Sequence, residues 1–80
     1  MNDHIRAVLH EHGRLARAVE TLADDADLYQ AGMTSHASVN VMLALECRLN
    51  IEFPDRMLRR GVFESISSIA AAASELVASR

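Results

Sequence analysis

Apolar positions recur at steps of three and four in three stretches of the chain, and no segment alternates apolar and polar residues as a strand would. In the first stretch Ile5, Val8, Leu9 and His12 share one side of a helix. Asn2 or Asp3 is placed to cap its start and Gly13 to stop it. Leu15, Ala16, Val19 and Leu22 keep the same period, which predicts renewed helical character after Gly13 rather than one unbroken helix. The acidic run from Ala23 to Asp27 predicts a solvated turn, with Leu28 and Tyr29 as apolar anchors and Gly32 permitting a sharp bend. A second helix is expected from Thr34-Ser35 to about Leu49-Asn50. From Ala37 to Leu49 nearly every position is apolar, the exceptions being Ser38, Asn40, Glu46 and Arg48. A helix this apolar is central in the fold or leaves part of its surface for a partner, and a chain this short predicts both. Pro54 and Asp55 suit the first turn of a short helix reaching Arg60 and ending at Gly61. A last helix is expected from Phe63 or Glu64, with Ile66, Ile69, Ala70, Ala73, Leu76 and Val77 inward. The prediction is a small all-α bundle of four helices, with a long first loop and a short third helix.

Composition narrows this picture. The chain has 80 residues, 50% of them hydrophobic and 24% charged, which suits a single globular domain over residues 1–80. Surface scaling gives a folded area of about 4,800 Å², enough for one core without a roomy internal pocket. Two phenylalanines, one tyrosine and no tryptophan leave aliphatic residues and alanine to build that core. Ile5, Val8, Leu9, Leu28, Val41, Met42, Leu45, Leu49, Ile51, Phe63, Ile66, Ile69 and Leu76 are the expected contributors. Eight arginines and no lysine stand against eleven carboxylates, for a net charge of −3, which disfavours a nucleic-acid binder. One cysteine cannot form an internal disulfide, no apolar run approaches membrane-spanning length, and the first residues lack a signal-peptide layout. The expectation is a cytoplasmic protein with neither membrane nor nucleic acid as partner.

Side chains capable of chemistry are sparse. His10 and His12 lie two apart, on different sides of a helix, so they do not form the i, i+4 clamp that holds a metal ion. Cys47 lacks a partner base and reads as a small helix residue. No catalytic or metal-binding set is expected. Ser35 stands apart, because Gly32-Met33-Thr34-Ser35 puts a hydroxyl at a helix start just after a bend. Free N–H groups and the positive end of the helix dipole there favour an anion, including a phosphate esterified to that hydroxyl. On these four residues alone, simple capping by Thr34 or Ser35 is the plainer reading.

The wider sequence shifts that balance. The segment Asp27-Leu28-Tyr29-Gln30-Ala31-Gly32-Met33-Thr34-Ser35, followed by Val39, Leu43-Ala44-Leu45-Glu46 and Ile51-Glu52-Phe53-Pro54-Asp55, resembles the acyl carrier protein family over about Leu28 to Ile69. That family reads Gly-x-Asp-Ser-Leu, then Val-Glu-Leu-Val-x-Ala-Leu-Glu, then Ile-x-Ile-Pro-Asp. The resemblance implies that Ser35 is the attachment point of 4′-phosphopantetheine, installed from coenzyme A by a phosphopantetheinyl transferase, with cargo held on the arm's thiol as a thioester.

Departures from the pattern narrow the subgroup. Thr34-Ser35-His36 replaces Asp-Ser-Leu, and Asn40, Cys47 and Arg48 occupy positions where fatty-acid carriers commonly place acids. The segment Gly32 to Val39 with Ile51 to Asp55 is closer to the small aminoacyl carrier proteins. Such carriers are served by amino acid:carrier protein ligases related to the core of class II aminoacyl-tRNA synthetases, which load a small amino acid such as glycine or alanine. The resemblance thus implies a non-enzymatic carrier, with a ligase and a transferase as partners and the downstream acceptor open. A fatty-acyl or polyketide carrier is the alternative within the family, and an unmodified helical interaction module the alternative outside it. The expected docking surface is Thr34, His36, Asn40, Leu43 and Cys47 along the second helix, joined by Met57 and Arg60; core positions for Leu43 and Cys47 are the competing reading.

Overall fold

The structure is a computed structural model that describes all 80 residues. Three α-helices carry it: α1 (Asn2–His12), α2 (Ser35–Leu49) and α3 (Ile66–Ser79). The fold is all-helical, as expected, but has three α-helices where four were predicted. The segment after Pro54 forms two separate 3-10 turns, Asp55–Met57 and Arg60–Val62. Leu58 takes φ −84° and ψ 63° between them, and Arg59 is extended, so no continuous helix can form. Gly61 lies inside the second turn and does not terminate the first.

The long first connection also differs from expectation. Past Gly13 the only helical piece is a 3-10 turn at Val19–Thr21, flanked by extended Ala18 and Leu22. Arg14 rather than Gly13 takes the left-handed conformation, at φ 53°. Neither Asn2 nor Asp3 caps α1; its N-cap is Met1, with no side-chain bond. The start of α3 also moves, from the predicted Phe63 or Glu64 to Ile66. Ser65 and Ser68 form a reciprocal capping box that sets the boundary.

α1 packs against both α2 and α3. It buries Ile5, Val8 and Leu9; α2 buries Ala37, Val41, Leu45 and Leu49 in steps of four; α3 buries Ile66, Ile69, Ala70, Ala72 and Ala73. The connections complete the core with Val19, Leu22, Leu28, Ala31, Met33, Phe53, Met57 and Phe63. Of the expected core residues, Met42, Ile51 and Leu76 are only partly buried and pack at its edge. Phe53 and Phe63 stack at a tilt, with centroids 5.4 Å apart. The exposed surface of 4692 Å² is close to the scaling expectation for this mass.

The first connection is lashed down by polar bonds. Arg6 on α1 donates to the Val19 carbonyl at 2.7 Å, the Leu22 carbonyl at 3.1 Å and the Asp24 carboxylate at 2.6 Å. Leu28 N–H donates to the Glu64 carbonyl, and Ser67 N–H to that of Asp24, tying the loop to the start of α3. Asp27 accepts the N–H groups of Tyr29 and Gln30, turning the chain toward Gly32. Gly32 has φ +113°, and a Cβ there would lie 2.9 Å from the Ala16 nitrogen, so the bend needs glycine on two grounds.

Candidate functional site

This bend delivers the chain to the start of α2, where two neighbouring hydroxyls divide the work. Thr34 is the N-cap, in an extended conformation, and its Oγ1 accepts the Ala37 N–H at 3.0 Å. Ser35 is the first helical residue, exposed, with its hydroxyl free of hydrogen bonds within the chain. The capping role therefore falls to Thr34 and leaves Ser35 available. One turn further on, Ser38 donates to the Ser35 carbonyl at 2.7 Å, which occupies its hydroxyl.

Beside Ser35 lies an open groove of about 330 Å³, lined by Tyr29, Ser35, Ser38, Val39, Met42, Leu58, Arg59, Arg60 and Phe63. Val39 and Met42 follow Ser35 at i+4 and i+7, so one side of α2 forms a wall. The connection after α2 supplies the other. The Arg60 guanidinium sits over the Tyr29 ring, 3.9 Å from its centroid, joining the two connections across the groove. A phosphodiester on Ser35 fits this setting: the hydroxyl is free, the helix dipole is positive there, and the groove beside it is open.

The expected docking residues separate into two groups. Thr34, His36, Leu43 and Cys47 are exposed and Asn40 partly so, and the spacing of the last four puts them along the outward side of α2. Leu43 is 52% exposed, so it is a surface residue, as is Cys47. Arg60 is exposed on the groove. Met57 is different: it is 5% exposed and part of the core, because the 3-10 turn at Asp55–Met57 points it inward beneath the connection. It presents no surface to a partner. Val39, Met42, Leu58 and Arg59 were not anticipated at the site. Helical spacing from Ser35 was enough to find the first two, whereas nothing local in the sequence marks the last two.

His10 and His12 are exposed, beside Glu20 and Glu11 respectively, and no three metal-ligating side chains converge anywhere in the chain. No helix is long and apolar enough to cross a membrane.

Residues 6–76 match the family described as the phosphopantetheine attachment site. The aminoacyl carrier protein of Agrobacterium fabrum is 51% identical over 69 residues, covering 86% of this chain and 83% of that one. A carrier protein from Agrobacterium tumefaciens, solved in complex with an engineered Bradyrhizobium japonicum glycine:carrier protein ligase and AMP, superimposes with a TM-score of 0.89 at 47% identity; the match covers 92% of this chain and 99% of that one. A structure of the Bradyrhizobium japonicum ligase with glycylated carrier protein matches at a TM-score of 0.76 and 25% identity, over 89% of this chain and 95% of that one. A helical domain with a free serine at a helix start and this breadth of likeness is a carrier whose cofactor is 4′-phosphopantetheine, not an enzyme. The chain belongs to the phosphopantetheine-attachment family, and within it to the aminoacyl carrier proteins.

Proposed function

We propose that Ser35 bears the 4′-phosphopantetheine and that the arm's thiol holds glycine, or another small amino acid, as a thioester loaded by an ATP-dependent ligase. The observation that carries this reading is the free hydroxyl of Ser35 beside its capping neighbour, at the mouth of an open groove. When bound, the prosthetic group supplies the thiol on which an aminoacyl group stays activated. The protein roots it on the first turn of a rigid helix, offers it a groove, and raises the effective concentration of cargo at whatever enzyme it docks. The likeness to carriers seen with a glycine:carrier protein ligase supports glycine and such a ligase for this chain.

The docking face in this reading is the outward side of α2, with His36, Asn40, Leu43 and Cys47, together with Thr34 and Arg60 beside Ser35. A phosphopantetheinyl transferase is the second partner, and a reducing cytoplasm suits a carrier whose working group is a thiol and whose own Cys47 is exposed.

Intact mass spectrometry after incubation with coenzyme A and a broad-specificity transferase tests the attachment. The expected result is a gain of one phosphopantetheinyl group by the wild-type chain and none by Ser35→Ala. Incubating the holo protein with ligase, ATP and single amino acids is then expected to add one small aminoacyl group. An undiminished gain in Ser35→Ala overturns the site, and acylation by fatty acids in place of amino acids overturns the cargo.

A further inference from the structure

The surface around Ser35 has a sign opposite to that of the whole molecule. The chain carries a net charge of −3, yet the groove is lined by two arginines and no carboxylate. α2 contains a single acid, Glu46, and its carboxylate accepts the Phe53 N–H at 2.8 Å, holding the connection after the helix. Among the side chains that α2 presents outward are two large apolar ones: Val39 is 48% and Leu43 52% exposed, and Leu58, lining the same groove as Val39, is 48% exposed. These three account for all but one of the large exposed hydrophobic side chains in the chain, the other being Met1.

The arginines differ in how far they are already engaged. Arg6 is bound to the first connection, Arg48 donates to His4 Nδ1, Arg56 pairs with Glu75, and Arg80 caps the Leu49 carbonyl at the end of α2. Arg60 lies over Tyr29. Arg14, Arg17 and Arg59 have no ion pair or side-chain hydrogen bond within the chain, and of these three only Arg59 lies on the groove beside Ser35. An unpaired guanidinium that shares a groove with exposed Val39 and Leu58 and with Ser35, with exposed Leu43 one turn beyond Val39, meets the requirements of a polar rim around an apolar contact. A partner with a basic docking patch would find no free carboxylate on α2 to pair with, and would be repelled at Arg59.

We infer that the protein docks its loading ligase through an apolar and cationic surface formed by Val39, Leu43, Leu58 and Arg59, and that the ligase opposes it with an apolar patch rimmed by carboxylates. This rests on the reading that a ligase aminoacylates an arm on Ser35. Arg59 is a positioning residue here, acting on encounter and register and not on the chemistry of the thioester.

The test is steady-state aminoacylation of the holo protein by the ligase of the same genome, with ATP and glycine. KM for the carrier and kcat are measured for wild type, Arg59→Lys, Arg59→Ala and Arg59→Glu at low and high ionic strength. A rim charge of this kind predicts about a tenfold higher KM for Arg59→Glu, a smaller rise for Arg59→Ala and near wild-type behaviour for Arg59→Lys, with kcat nearly constant. Added salt is expected to raise the wild-type KM and to narrow its difference from Arg59→Glu. Equal or lower KM for Arg59→Glu, with wild type loaded normally, overturns the charge assignment and leaves the carrier reading standing. A wild-type holo protein that accepts no amino acid overturns the carrier reading and this inference with it. Leu43→Asp provides a second, independent arm: an unchanged KM there removes the apolar half of the surface.

Discussion

The two connections of this molecule join the same three helices and are built on different physics. Residues 13–34 run without an α-helix, yet they are fixed at both ends and in the middle. Arg6 holds them to α1, backbone bonds at Leu28 and Ser67 hold them to the start of α3, and Ala16 N–H donates to the Ala31 carbonyl across the loop. Residues 50–65 are held mainly by side chains that plug the core: Phe53, Met57 and Phe63, aided by the Glu46 carboxylate. Between those plugs Leu58, Arg59, Arg60 and Gly61 are exposed. The difference matches their tasks. The first connection aims the start of α2 and therefore the direction in which Ser35 points. The second frames the groove beside Ser35. Both connections plug the core, the first with Val19, Leu22, Leu28, Ala31 and Met33 and the second with Phe53, Met57 and Phe63, but only the first adds directional bonds to both α1 and the start of α3.

Substitutions that treat equivalent residues in the two connections alike should separate them. The largest contrast is Leu28→Ala against Leu58→Ala. Leu28 is fully buried, and its truncation is expected to cost about 2–5 kcal/mol in chemical denaturation. Leu58 is 48% exposed, and its truncation is expected to stay within about 0.5 kcal/mol of wild type. Removing the polar lashing comes next: Arg6→Ala deletes three charge-assisted bonds, and an expected loss of about 1–3 kcal/mol should be accompanied by faster hydrogen exchange in residues 19–28. The smallest contrast lies between two glycines. Gly32→Ala puts a Cβ against the Ala16 backbone at positive φ and is expected to destabilise by more than about 1 kcal/mol. Gly61→Ala meets nothing within 4 Å, so a gain of up to about 1 kcal/mol from a stiffer unfolded chain is the expected outcome. Equal effects at the two glycines would show that the two connections are held alike.

The two sides of α2 are alike in apolar content and unlike in cover. Ala37, Val41, Leu45 and Leu49 are buried while Val39 and Leu43, no less apolar, are exposed. α1 can cover only one side of the helix, and the chain has no further element to cover the other.

Much of this was written in the residue pattern. Steps of three and four located all three α-helices, because a period near 3.6 follows from backbone geometry alone, and Gly32 marked the bend that precedes α2. The spacing of Ser35, Val39 and Met42 puts all three on one side of α2, although Met42 was expected in the core. Local pattern failed where packing decides. Pro54 and Asp55 are good helix starters, but burying Phe53, Met57 and Phe63 against the other helices breaks the segment into two 3-10 turns and turns Met57 inward. Leu15 to Leu22 has a helical period, but Arg6 binds the carbonyls of Val19 and Leu22 and draws the chain out. The division of labour between Thr34 and Ser35, the stacking of Arg60 on Tyr29 and the freedom of Arg59 likewise belong to the tertiary structure. Periodicity is a property of neighbours along the chain. Which donors find acceptors, and which side chains stay uncovered, is settled by residues far apart in sequence that folding brings together.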